Sequence, residues 1–138
     1  MNKEYKIKHL EMIEAIIERM AKNSFQLKGW AMTLVAAVGA LAANGSDQRF
    51  VIFSFFPVVG FWFIDAYYLY QEHKYKDLYQ NIVDKPEEDI DFCMKTEQYS
   101  GWVAFGKYLQ SLCSLTELLF YGIITAALFV LICVLHIF

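Results

Sequence analysis

The spacing of apolar positions changes along this chain, and the changes mark out its elements. Leu10, Ile13, Ile17 and Met20 recur at steps of three and four, with Glu11, Glu14, Glu18 and Lys22 on the other faces, the pattern of an amphipathic helix. From Leu27 to Ala43 the apolar residues become nearly continuous. No proline separates the two stretches, so one helix is predicted over 4–43. Such a helix would be about 60 Å long, roughly twice the hydrocarbon thickness of a bilayer. Half of it must then stand outside the membrane.

A second apolar run begins at Phe50 and reaches about Tyr70, and from within it Ile64, Tyr68, Gln71, Tyr75, Leu78 and Ile82 carry a three-four pattern onward until Lys85-Pro86 stops it. This predicts a helix over 50–83. Pro57 removes one of its backbone hydrogen bonds, and with Gly60 nearby a modest bend is expected there. NGSDQ at 44–48 is a turn signal between the two long helices. With so short a connection they must run antiparallel, their polar-faced halves packing as a coiled-coil-like stalk. Residues 84–100 read as an acidic, irregular loop. In 101–116, Trp102, Phe105, Leu109 and Leu112 oppose Lys107, Gln110 and Ser111, which predicts an amphipathic helix at the membrane surface or on the stalk. A third span is predicted over 118–138. The fold class is an all-α membrane protein, a single membrane domain over 1–138: a long antiparallel helical hairpin extending into the cytoplasm, plus a C-terminal transmembrane helix.

Composition agrees with this picture. Of the 138 residues 57% are hydrophobic, against about 45–50% in ordinary globular domains. The net charge of −3 and the scattered lysines offer no basic stripe, so a nucleic-acid partner is not expected. Membrane lipid is. Lys3, Lys6, Lys8, Arg19, Lys22 and Lys28 precede the first span, and His73, Lys74, Lys76, Lys85 and Lys95 follow the second, which puts the N-terminus and residues 71–115 in the cytoplasm. The 44–48 turn and the C-terminus then face the periplasm or exterior. ALAANGS at 40–46 resembles a signal cleavage site, but the charged stretch before it is too long, so an uncleaved span is expected. Cys93, Cys113 and Cys133 lack metal or redox spacing and read as free thiols.

No arrangement of residues points to catalysis. HExxH, a Gly-rich phosphate loop and GxSxG are missing, and His9, His73 and His136 fall on separate parts of the chain, so no catalytic residue, metal site or cofactor is expected. Glu87, Glu88, Asp89 and Asp91 could suggest calcium, yet EF-hand spacing and its central glycine are missing, and a solvated loop is the simpler reading. In the first span Gly29, Thr33, Ala36, Ala37 and Ala40 form a small-residue stripe, repeated by Gly122 and Ala126 in the third. Phe53, Phe56, Phe61 and Trp62 are bulky enough to fill its grooves within one chain. Contact between subunits is the alternative, and a hairpin that buries so little by itself favours a homo-oligomer.

One acid, Asp65, lies in FWFIDAYYLY at the end of the second run. Counted from the centre of the turn, Lys28 and Asp65 fall at one depth, roughly 28 Å away, where they could form an interhelical salt bridge at the cytoplasmic membrane edge. Trp30, Trp62, Tyr67 and Tyr68 form an aromatic belt around that layer. Glu117 enters it at the start of the third span, as a third member or an interfacial marker.

NSFQLKGWAMTLVAAVGALAA at 23–43 and FWFIDAYYLYQEHKYKDLY at 61–79, with Ser-Phe, Lys-Gly-Trp and Asp-Ala-Tyr-Tyr in fixed order, resemble the RipA-like family of small octameric bacterial inner-membrane proteins. The resemblance covers about residues 10–80. It implies a bacterial plasma-membrane protein that assembles into a ring, an octamer, without enzyme activity. The region after Pro86 carries no part of it.

The expected function is therefore that of a non-enzymatic, homo-oligomeric scaffold or pore-like assembly, with stress or defence physiology as its setting. Two other readings stand beside it: an ion channel gated or lined near Lys28 and Asp65, and a membrane-anchored module that binds a protein partner, of identity unknown, through the acidic 84–100 loop.

Overall fold

A computed structural model describes residues 2–45 and 49–134. Ser46, Asp47 and Gln48 of the turn, and the last residues of the third apolar run with His136, lie outside the described residues. Every regular element among the described residues is helical: α1 (Asn2–Ala43), α2 (Phe50–Phe53), α3 (Phe55–Asp84), a 3₁₀ turn (Glu87–Asp89), α4 (Gly101–Leu112) and α5 (Leu115–Val134). Three helical stretches, α1, α2 with α3, and α5, are long and apolar enough to cross a membrane.

Local chemistry sets the boundaries. Gly45 takes φ +81° just past the end of α1, and the N–H groups of Asn44 and Gly45 close back on the carbonyls of Ala40 and Ala42. That left-handed position favours glycine. The irregularity expected at Pro57 falls one turn earlier: Pro57 has no N–H for the Phe53 carbonyl, and the helix is interrupted at Ser54, whose hydroxyl donates to the Val51 carbonyl at 2.6 Å. Pro57 then occupies the first turn of α3, where its missing donor costs little. Helix α4 ends at Leu112 rather than continuing to 116, because Ser114 starts a new helix, its carbonyl accepting from Leu118 N–H at 2.9 Å.

Contacts at three levels align α1 with α3 in opposite directions. Lys6 meets the last turn of α3, Lys28 meets Asp65, and Ala42 shares a buried cluster with Val51 and Val58. Along α3, Val58, Asp65 and Glu72 are buried at seven-residue steps, the repeat of a coiled-coil seam. Helix α5 closes the third side, presenting Glu117, Tyr121, Ile124, Leu128 and Ile132 on one face. The core is this three-helix seam.

Helix α4 packs on α3 with its polar side. Tyr108 donates to the Phe63 carbonyl at 2.9 Å and Ser111 is buried, while Trp102 is 87% exposed and Phe105 and Leu109 also face outward. The Trp62 indole donates to the Leu112 carbonyl at 3.2 Å, satisfying one acceptor at the open end of α4.

Candidate functional site

The charged residues of the three long helices meet at one layer, and helical spacing explains how. On α1, Ser24 and Lys28 are one turn apart and share a face; on α5, Glu117 and Tyr121 do the same; Asp65 sits on the seam of α3 between them. Lys28 Nζ donates to Asp65 Oδ2, to Glu117 Oε1 at 2.7 Å and to Ser24 Oγ at 3.0 Å. An ammonium has three donors, and here each has an acceptor. Tyr121 donates a further hydrogen bond to Asp65 Oδ2 at 3.0 Å.

The two acids of the cluster are shielded from solvent and the ammonium is largely so. The Asp65 side chain is 0% exposed, that of Glu117 2% and that of Lys28 16%. Phe120 and Tyr121 hold their rings 5.8 and 5.9 Å from Lys28 Nζ, and Trp62 stacks on Tyr121 with centroids 6.0 Å apart. Such rings stabilise a desolvated cation and exclude water. Two carboxyl groups share one ammonium, and two buried oxygens, Asp65 Oδ1 and Glu117 Oε2, have no hydrogen-bond partner. In a low-dielectric site an oxygen so placed is where a proton or small cation would gain most.

The other residues singled out by sequence lie elsewhere. Gly29, Thr33, Ala36, Ala37 and Ala40 are all exposed, as are Gly122 and Ala126, so the small-residue stripes turn away from the chain's own core. Phe53 and Phe56 also point outward, at 72% and 87% exposure; Phe61 and Trp62 do pack against the core. Cys93, Cys113 and Cys133 are free thiols. Among the described residues no three His, Cys, Asp or Glu side chains converge as a metal would require. In the acidic loop, Asp91 accepts the Cys93 backbone N–H at 3.1 Å, which lowers its pKa below the usual carboxylate value of 3.8.

Sequence reasoning missed Tyr121 and Ser24, although each lies one turn from a charge it did find. It also missed the surroundings of His9. That side chain is 0% exposed with both ring nitrogens unpartnered, covered by Phe92 at 5.3 Å, and Phe92 holds a left-handed φ of +52°. The segment after the 3₁₀ turn thus straps the start of α1.

A scan of protein-family models, a search of curated proteins and a search of solved structures each find no match to this chain. Its function has to be argued from its own geometry.

Proposed function

We propose that this chain is a non-enzymatic, homo-oligomeric protein of the bacterial inner membrane, a scaffold or pore-like assembly in which α1 and α3 form a hairpin across the bilayer and α5 is the third span. The N-terminal half of α1 and the C-terminal half of α3 form the cytoplasmic stalk. The Lys28, Asp65 and Glu117 layer sits at the cytoplasmic edge of the bilayer, and the C-terminus faces outward.

One observation carries this reading. Of the most apolar window of α1, 17% is buried within the chain, although its inward face already packs on α3 and α5. The surface left over includes the whole small-residue stripe, whose shape suits close contact with another helix in lipid. The stripe on α5 lies at a matching height, so the α1 face of one copy can meet the α5 face of the next. Such a head-to-tail contact closes into a ring when the rotation allows. Purified protein in mild detergent should form one defined high-order particle by mass photometry. A monomer at all concentrations would remove both the ring and the pore.

A second reading, ion conduction, is favoured by the two unpartnered oxygens of Asp65 and Glu117. It requires bilayer currents that change in Asp65→Asn. If the wild-type assembly passes no current and Asp65→Asn only loosens it, the charged layer is a clasp. The third reading, partner binding by the loop, rests on exposed Glu87, Glu88, Asp89 and Asp91, and neutralising them should release any captured partner.

A further inference from the structure

On the cytoplasmic side, the irregular segment before α4 runs back beside α3, and α4 returns along it. Between them lies a groove in two adjoining parts, of about 670 Å³ and 340 Å³, which share Lys74, Asp77 and Tyr99. These volumes fall within the range of small-ligand sites. The larger part is bounded at one end by Cys113 and Ser114, immediately before α5 enters its apolar run.

The groove is lined by several lysines that stand outside any close ion pair. Lys74, Lys85, Lys95 and Lys107 make no ion pair among the described residues, whereas Lys76 on the same rim is tied to Glu72 at 2.5 Å. Two of the four are held in place by aromatic rings: Lys107 Nζ lies 3.7 Å from the Tyr99 centroid, and Lys74 Nζ lies 5.5 Å from that of Tyr70. The contact with Tyr99, with Asp77 and Glu97 nearby, also raises the Lys107 pKa above the usual lysine value. Asp77 and Glu97 stand in the walls as acceptors.

We infer that this groove binds the phosphate of an anionic phospholipid from the cytoplasmic leaflet, Lys74 and Lys107 holding the phosphate and Asp77 accepting from a hydroxylated headgroup. The inference rests on the membrane orientation proposed above, which sets the Cys113 end of the groove at the headgroup level. Basic pockets beside the spans on this side are suited to such headgroups. A phosphate bound here would also bridge α3 and α4, fixing α4 at the membrane surface with Trp102, Phe105 and Leu109 toward lipid.

The experiment uses the full chain in detergent micelles, with Cys93→Ser and Cys133→Ser leaving Cys113, which is exposed in the groove, as the one thiol. Its labelling rate with a charged maleimide is followed as phosphatidylglycerol, phosphatidylcholine or inorganic phosphate is added. Phosphatidylglycerol should slow labelling, and the other two should not. Lys74→Gln and Lys107→Gln should each weaken protection by about fivefold, as expected for a basic residue at an anionic surface. Lys107→Arg should retain most of it. Equal protection by phosphatidylcholine, or in the Lys74→Gln/Lys107→Gln double variant, would overturn the site; protection by inorganic phosphate alone would assign it to a soluble anion and overturn the lipid. Labelling of Cys113 from outside intact cells would instead count against the orientation, so the two failures can be told apart.

Discussion

Replacing Lys28 by Met tests the charged layer most severely, because it leaves Asp65 and Glu117 facing each other with no cation between them. Both acids are shielded, at 0% and 2% side-chain exposure, so water cannot take the place of the ammonium. Removing one partner from a buried ion pair typically costs about 3–5 kcal/mol. For a chain of this size that is a fall in melting temperature of about 10 °C or more. The triple variant Lys28→Met/Asp65→Asn/Glu117→Gln should regain most of the loss, since neutral groups of similar shape leave no charge stranded. Melting followed by the loss of the folded species on size exclusion in detergent reads both effects. Raising salt from 50 to 500 mM should change neither, because screening acts on exposed charges. A cost below about 1 kcal/mol for Lys28→Met, the value of an exposed pair, or a triple variant no better than the single one, would show that no buried charge depends on Lys28.

Tyr121→Phe keeps the ring on Trp62 and removes only the hydroxyl that serves Asp65; a loss of about 1.5–3 kcal/mol is expected in the same melting assay, as for hydrogen bonds to charged groups. Lys6 donates to the carbonyls of Val83 and Lys85 at 2.8 and 2.7 Å, closing the open end of α3. Lys6→Met should therefore speed hydrogen exchange in the last turn of α3, at a cost of about 1–2 kcal/mol, without altering the three-helix core. The turn at Asp91 follows pH in one direction. Its carboxyl titrates below 3.8, so the stabilising contact with Cys93 N–H is complete above that value and is lost as pH falls through the lower folded-state value; the Cys93 amide signal should hold steady down to pH 5 and shift only in stronger acid.

The path from sequence to this site was open where simple geometry governs. Equal counting from the turn places Lys28 and Asp65 at one depth, and the two side chains meet, because long helices with few interruptions preserve their rise. Ser24 and Tyr121 were harder to see, since a hydroxyl one turn from a charge has many uses and only the third helix's approach selects this one. Which face of an apolar span turns inward was not legible. A helix that is hydrophobic all round carries no moment to orient it, so the small-residue stripe could not be placed on the outer face beforehand. The side on which α4 packs was open for a related reason: its apolar face turns outward, while Tyr108 donates to the Phe63 carbonyl of α3 and Ser111 is buried. The strap over His9 depends on an aromatic residue adopting φ +52°, a conformation that no local preference of phenylalanine forecasts.

In the assembly proposed above, copies of this chain contact one another through the outward small faces of α1 and α5. Ala36 lies eight residues beyond Lys28, a rise of about 12 Å, and Ala126 nine beyond Glu117, about 13.5 Å, so the two stand at nearly the same height above the charged layer. With the native cysteines replaced by serine, Ala36→Cys and Ala126→Cys in one chain should give, on oxidation in native membranes, a ladder of disulfide-linked multimers, while either substitution alone should not form the ladder. Monomers alone from the double variant, under conditions where both thiols are accessible to oxidation, would rule out this contact between copies.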